Sequence, residues 1–283
     1  MKYSNKGVHF SLKVLNDAVK HQNQIKKGIK KHGYFAEHNY LHYLYTQSAW
    51  DRNVFFDFGN NKILLAQYYK KKNVWSLFPN GILAPKSERL DLLLEATNYI
   101  LKKQKAKKFL IEVSEDIRKE LLNKFKIKNG LRICKYTYVL YWPLYNMGSW
   151  NTRLKGSKWK KLRNLRNKFY RENKIRIEDS RNVPKEELKK ILSVWLKRRN
   201  DNDRVDKNYF FNLVENDFKG VDMAKTLYVN DKPSTITAGW KIPNSNNYYS
   251  SIGMLDYSHP GLGEIANIDD LNRLKDRGFD YVD

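Results

Sequence analysis

A single cysteine, Cys134, is all the thiol chemistry the sequence holds, so an internal disulfide and a cysteine-rich zinc site are both excluded. Acidic residues are also few: 30 Asp and Glu stand against 54 Lys and Arg, a formal charge of +24. Such an excess favours a polyanionic partner, either nucleic acid or an anionic lipid surface. No apolar run approaches the ~18 residues of a membrane-spanning helix. The aromatic segment 136–145 is interrupted by Pro143 and reads as strand. Met1-Lys-Tyr-Ser-Asn lacks the apolar core of a secretory signal. The chain is accordingly expected in the cytoplasm, soluble or peripheral at the inner face of a membrane.

What is present supports a folded protein. The 283 residues leave room for two domains of ordinary size, and a hydrophobic content of 41% with 14% aromatics can build a core. His21, His32, His38 and His42 crowd the N-terminal part. The i, i+4 spacing of His38 and His42 would suit a metal on a helix, but no third ligand stands near, and no metal is assigned.

The most unusual stretch runs from Lys155 to Arg171, with eight Lys or Arg and no acidic residue. Gly156 and Ser157 offer a break and a capping hydroxyl ahead of a helix. At about 100° per residue, Trp159, Leu162, Leu165, Phe169 and Tyr170 share an arc that should face the core. Lys160, Lys161, Asn164, Asn167, Lys168 and Arg171 fall opposite, toward water or an anion. Arg166 lies between Leu162 and Trp159, with Arg163 at the edge of the same arc. An unpaired guanidinium there costs several kcal/mol. Arg166 therefore either snorkels to water or lines a site where its planar fork grips a phosphate or carboxylate.

Along the chain, a helical N-terminal region is followed by short β runs at 54–58, 62–69 and 74–78 in an antiparallel meander. A helix at 87–103, a strand at 109–113, a helix at 114–125 and a strand at 132–142 complete the first half. The second half repeats the plan. After the basic helix come a strand at 175–178, a helix opened by Pro184, and one capped by Asp206 and ending at Gly220. Three strands follow at 224–229, 235–242 and 248–256, then a helix at 263–277 and a strand at 279–282. Each half thus holds three antiparallel strands, a helix and a strand.

That order is the central part of the GNAT acyltransferase fold. The words Tyr45-Thr-Gln-Ser-Ala-Trp50, Phe78-Pro-Asn-Gly81, Tyr136-Thr-Tyr-Val139, the basic stretch from Leu154 to Phe169, and the tail from Gly263 to Val282 resemble the phosphatidylglycerol lysyltransferase C-terminal family from about Tyr40 onward. The resemblance implies an α+β protein of two tandem GNAT-like lobes, residues 1–148 and 149–283, each a mixed, largely antiparallel sheet flanked by helices. Family chains run on past the Tyr-Val position, so the second lobe is expected to be truncated at its C-terminal end, with an uncovered sheet edge.

The activity implied is aminoacyl transfer from tRNA to a lipid or another small acceptor, with aminoacyl-tRNA as donor and no further cofactor. Such transfer needs a proton acceptor, donors for a developing oxyanion and a cationic clamp. Asp256, His259 and Glu264 are the catalytic candidates. Arg163, Arg166, Lys155, Lys158 and Trp240 are those for substrate binding. Two alternatives stay open. An acyl-CoA-dependent N-acyltransferase would use Gly261 and Gly263 in Ser258-His-Pro-Gly261-Leu-Gly263 as a pyrophosphate loop, although Ser258 stands where Gln or Arg is expected. A non-catalytic, basic nucleic-acid-binding protein would use the charge alone.

Overall fold

The computed structural model describes residues 12–47, 51–125, 134–199 and 207–283. The chain divides into two units, Met1–Val139 and Leu140–Asp283.

In the first unit the elements run β1 (Lys13–Leu15), α1 (Gln22–His32), α2 (Tyr40–Tyr45), β2 (Asp51–Asp57), β3 (Ile63–Tyr69), β4 (Val74–Leu83), α3 (Arg89–Asn98), β5 (Lys108–Leu110) and α4 (Glu115–Phe125). The sheet order is β1-β2-β3-β4-β5, antiparallel except for β4 with β5. Side chains alternate between faces along a strand, and here both faces are apolar. Phe55, Ile63, Leu65 and Phe78 pack with Ile25 and Ile29 of α1 and Tyr40 and Tyr43 of α2. Val54, Phe56, Leu64 and Leu77 pack with Leu90, Leu93 and Ala96 of α3 and Ile117 and Leu121 of α4. The continuous burial of Val54, Phe55 and Phe56 follows from helices covering both sides.

The second unit runs β6 (Tyr145–Asn146), α5 (Lys160–Glu172), β7 (Ile175–Asp179), α6 (Lys185–Lys197), α7 (Lys207–Glu215), β8 (Met223–Val229), β9 (Lys232–Lys241), β10 (Tyr248–Leu255), α8 (Leu262–Asp276) and β11 (Tyr281–Val282). Its sheet order is β6-β11-β10-β9-β8-β7, antiparallel except for β10 with β11. The sequence β7-α6-α7-β8-β9-β10-α8-β11 matches β1-α1-α2-β2-β3-β4-α3-β5 of the first unit in element type, strand order and strand direction. Met223, Leu227 and Val229 face α8 and α5 through Ile265, Leu271, Leu274 and Phe169. Helix α6 covers the other face of β9 and β10.

Several expectations are corrected. Residues 134–142 form no strand, and Tyr141 is 91% exposed. Aromatic composition supplies β propensity, but a ladder needs a partner strand. Residues 132 and 133, and the cap expected at Asp206, lie outside the described residues. Helix α7 stops at Glu215 rather than Gly220, because Asp217 and Phe218 turn to positive φ. A strand, β1, stands where helix was expected. Tyr145 and Asn146, on the first-lobe side of the expected 148/149 division, pair with Val282 and Tyr281 in the second sheet. The same pairing covers the edge of β11 that was expected to be open.

Candidate active site

Helix α5 holds the basic stretch as expected, with Phe169 buried and Trp159, Leu162 and Leu165 packed against the core. Tyr170, placed on the same arc, is instead 46% exposed. Arg163 and Arg166 are half-buried. Both turn toward the loop that precedes the helix. Arg163 donates to the Leu154 carbonyl and, at 3.0 Å, to the Gly156 carbonyl, which folds that loop back on the helix. Arg166 reaches the Thr152 carbonyl at 3.4 Å and the Asn167 amide oxygen at 3.5 Å. Its partners are neutral, so its charge stays available to an anion.

The other sequence candidates fall into separate groups. Asp256 accepts from the Ser258 amide at 3.0 Å and hydroxyl at 2.6 Å, and Lys232 lies 3.1 Å from its second oxygen. Burial pushes this carboxyl up, but Ser258 and Lys232 outweigh it, and its pKa ends below the ordinary carboxylate value. Ser258 also meets His259 Nδ1 at 2.8 Å, so Asp256 and His259 belong to one tight turn. Glu264 is exposed on the first turn of α8, Lys155 and Lys158 are exposed, and Lys158 lies over the Trp159 ring at 5.0 Å. Trp240 is buried edge-on against Tyr249. On β9 it points to the face opposite Thr237.

The Gly261 backbone sits at φ 84, a conformation that favours glycine, and a Cβ there would press on Leu165. A side chain at Gly263 would meet only Leu255, at 3.9 Å. The turn and the contact with α5 thus account for Gly261 without a pyrophosphate. Ser258, the residue in the place of the expected cation, is engaged by Asp256 and His259.

The richest polar cluster was not singled out in the sequence. Asp270 of α8 is only 5% exposed. Ser250 of β10 donates to its Oδ2 at 2.9 Å, and Arg273 Nη2 lies 3.3 Å from its Oδ1. The same Nη2 reaches Thr237 of β9 at 3.3 Å, and Nη1 is paired with Asp269. The Tyr248 hydroxyl and Arg273 Nε are buried without a hydrogen-bond partner among the described residues. Burial raises the Asp270 pKa to about 6, against the hydrogen bonds from Ser250 and Thr237. Burial also draws Arg273 down to about 10, so the guanidinium remains charged at neutral pH. The contact between the two opposes both shifts. Burial likewise raises the Tyr170 hydroxyl, while Arg166 and Arg273 both act to lower it. Tyr170 thus lies within electrostatic reach of both Arg166 of the basic helix and Arg273 of α8.

This cluster lies beside the pairing of β11 with β10. Val282 of β11 pairs with Tyr248 of β10, and Asp283 continues that ladder through the Tyr248 carbonyl and the Ser250 amide at 2.9 Å each. The β10 ladder with β9 shifts register between Tyr249 and Ile252, at the serine pair Ser250-Ser251. A buried carboxyl whose pKa is raised to about 6, held beside a fixed guanidinium, can accept a proton, while Arg166, whose partners are neutral, can hold an anionic group. The sequence signal was a broken stripe: Leu262, Ala266, Asp270 and Arg273 follow helical spacing, and the last two put charge on a face otherwise meant for the core.

The structure resembles several solved ones. L-PGS from Bacillus licheniformis superimposes with a TM-score of 0.62 at 14% identity, covering 92% of this chain and 74% of that one. A conserved protein of unknown function from Bacteroides thetaiotaomicron gives 0.60 at 15% identity, covering 97% and 89%. A tandem GNAT protein from the clavulanic acid biosynthesis pathway gives 0.51 at 8% identity, covering 96% and 89%. A search of the curated proteins found no match. The profile of the family described as phosphatidylglycerol lysyltransferase, C-terminal, matches residues 36–283. The chain therefore belongs to that family, as an acyl- or aminoacyl-transferring enzyme on a tandem GNAT-like fold.

Proposed function

We propose that the chain moves an aminoacyl group from the ester of a charged tRNA to a hydroxyl of a small or lipid acceptor. The observation that carries this reading is the Asp270 carboxyl, buried beside Arg273 and joined to Ser250 at 2.9 Å. The acceptor oxygen attacks the aminoacyl carbonyl carbon and yields its proton through the half-buried Ser250 hydroxyl to Asp270. The bond from that carbon to the tRNA ribose oxygen breaks, and the ribose oxygen takes the proton. Arg166 holds an anionic group that flanks the reacting ester, a phosphate of the tRNA end or of the headgroup, while Arg273 fixes the Asp270 carboxyl.

Family membership supports the reaction class, and the run from Lys155 to Arg171, with eight Lys or Arg and no acid, supports a polyanionic donor. The charge of +24 suits an anionic membrane surface as well. Among the described residues no helix is long and apolar enough to cross a membrane.

The test is transfer of a radiolabelled aminoacyl group from charged tRNA to phosphatidylglycerol in vesicles. Asp270→Asn and Ser250→Ala should each lower the rate by about 100-fold or more, the scale of a lost general base, with tRNA binding unchanged. A full rate in Asp270→Asn, or labelled product from acyl-CoA and none from charged tRNA, would overturn the proposal.

A further inference from the structure

The first unit contains a cavity of about 310 Å³ beside the word Phe78-Pro-Asn-Gly81, near the lower end of the about 300–1,000 Å³ typical of ligand sites. Its walls are fixed from several directions. Asn80, at φ 47, receives the Ser114 amide on its side-chain oxygen at 2.9 Å and sends its own amide to the Glu112 carbonyl at 3.0 Å. Its carbonyl accepts the Tyr34 hydroxyl at 3.1 Å and lies 3.0 Å from His38 Nε2. His38 Nδ1 takes the Tyr34 amide at 3.0 Å. Burial lowers the His38 pKa to about 3, so this brace is neutral at working pH. Its Nε2 therefore carries the proton donated to Asn80.

The charge in the cavity is balanced and opposed. Arg89 opens α3, Lys86 lies in the short turn before it, and Asp116 and Glu120 come from α4. The Arg89 guanidinium lies 3.5 Å from the Tyr34 ring centroid, and its Nε donates to the Ala84 carbonyl at 3.0 Å. Neither Nη has a protein partner among the described residues. Lys86 and Asp116 stand 3.9 Å apart, a loose contact between two exposed side chains. The Tyr34 hydroxyl feels both signs: burial pushes its pKa up to about 12, Arg89 opposes that and Asp116 adds to it. Leu90 and Ile117 supply an apolar floor.

A simple anion would meet two carboxylates here, and a simple cation would meet Lys86 and Arg89. A ligand carrying both charges satisfies both sides. We infer that this cavity binds a small zwitterion, with its carboxylate or phosphate on the free edge of Arg89 and its ammonium toward Asp116 and Glu120. The site belongs wholly to the first unit and is independent of the proposed reaction.

The experiment is ligand-observed NMR and calorimetry on the full chain with L-leucine and phosphoethanolamine at millimolar concentration. L-leucine methyl ester, which lacks the anion, and N-acetyl-L-leucine, which lacks the ammonium, are the one-charge probes. Saturable binding of either zwitterion, with both one-charge probes weaker, supports the inference. L-leucine alone identifies an amino acid as the source, and phosphoethanolamine alone a headgroup. Glu120→Gln, at an exposed position, and Arg89→Lys, which keeps the charge but loses the fork, should each weaken binding by about tenfold. Asp270→Asn in the other unit should leave it unchanged. No saturable binding of either zwitterion to the folded chain, or binding indifferent to both first-unit variants, overturns it.

Discussion

Replacing Asp270 by Asn should make the second unit more stable while removing its activity, and the gain should depend on pH. The native carboxyl is raised from its ordinary 3.8 to about 6 by burial. The native state therefore holds an extra proton between those values. Stability is fully present below 3.8, declines as pH rises to about 6, and stays reduced above that. Ionising the group inside the protein costs about 3 kcal/mol at most, from about 1.4 kcal/mol per pH unit of separation. The Arg273 contact at 3.3 Å offsets part of this, and Asn still offers an oxygen to Ser250. A net gain of about 1–2 kcal/mol corresponds to a Tm rise of about 2–8 °C. Thermal unfolding of both proteins at about pH 8 and about pH 5 tests it, with the gain shrinking at the lower pH as the wild-type carboxyl takes up its proton. An Asn variant that is less stable than wild type at the higher pH, and more nearly equal at the lower, would refute the reasoning. It would mean that Arg273 stabilises the carboxylate more than burial opposes it.

Other outcomes follow from single contacts. Gly239→Ala would drive a Cβ into the Tyr249 carbonyl across the β9–β10 ladder, and should cost about 3 kcal/mol or more, read as a fall in the urea midpoint or loss of folded protein. Arg163→Ala frees the Leu154 and Gly156 carbonyls. It should cost about 1–3 kcal/mol, with faster amide exchange in residues 152–157, and Arg163→Lys should recover less than half. His38 and His42 are both lowered to about 3 by burial. The unfolded chain therefore takes up protons first as pH falls below 6.5, and stability drops with it. His42→Gln should reduce that slope in the first unit by about 1.4 kcal/mol per pH unit, measured by urea unfolding across the acid limb; an unchanged slope would count against a neutral buried His42.

Most of the architecture was legible because local signals and long-range packing agree. Gly59-Asn60-Asn61 separates β2 from β3, Pro184 opens α6, and Gly278 ends α8, each by a conformational preference that survives in the structure. Where propensity stood alone it failed. Residues 134–142 have strand composition without a partner strand, and β1 is a strand only because Val14 meets Phe56. The candidate site was less legible. The charge of α5 points to Arg166, whereas the buried acid lies about a hundred positions further on, in an apolar stripe that it interrupts. Thr237 and Ser250 carry no signal until β9, β10 and α8 are brought together.

The pairing of β6 with β11 has a consequence for biosynthesis. Lys275 reaches back to the Met147 carbonyl across 128 residues, and the Met147 amide binds the Asp280 carbonyl at 2.9 Å. The strand emerging first from the ribosome in this unit must wait for the one emerging last. Vectorial folding therefore cannot finish the sheet segment by segment, and the nascent unit stays exposed to chaperones and proteases until translation has passed Val282.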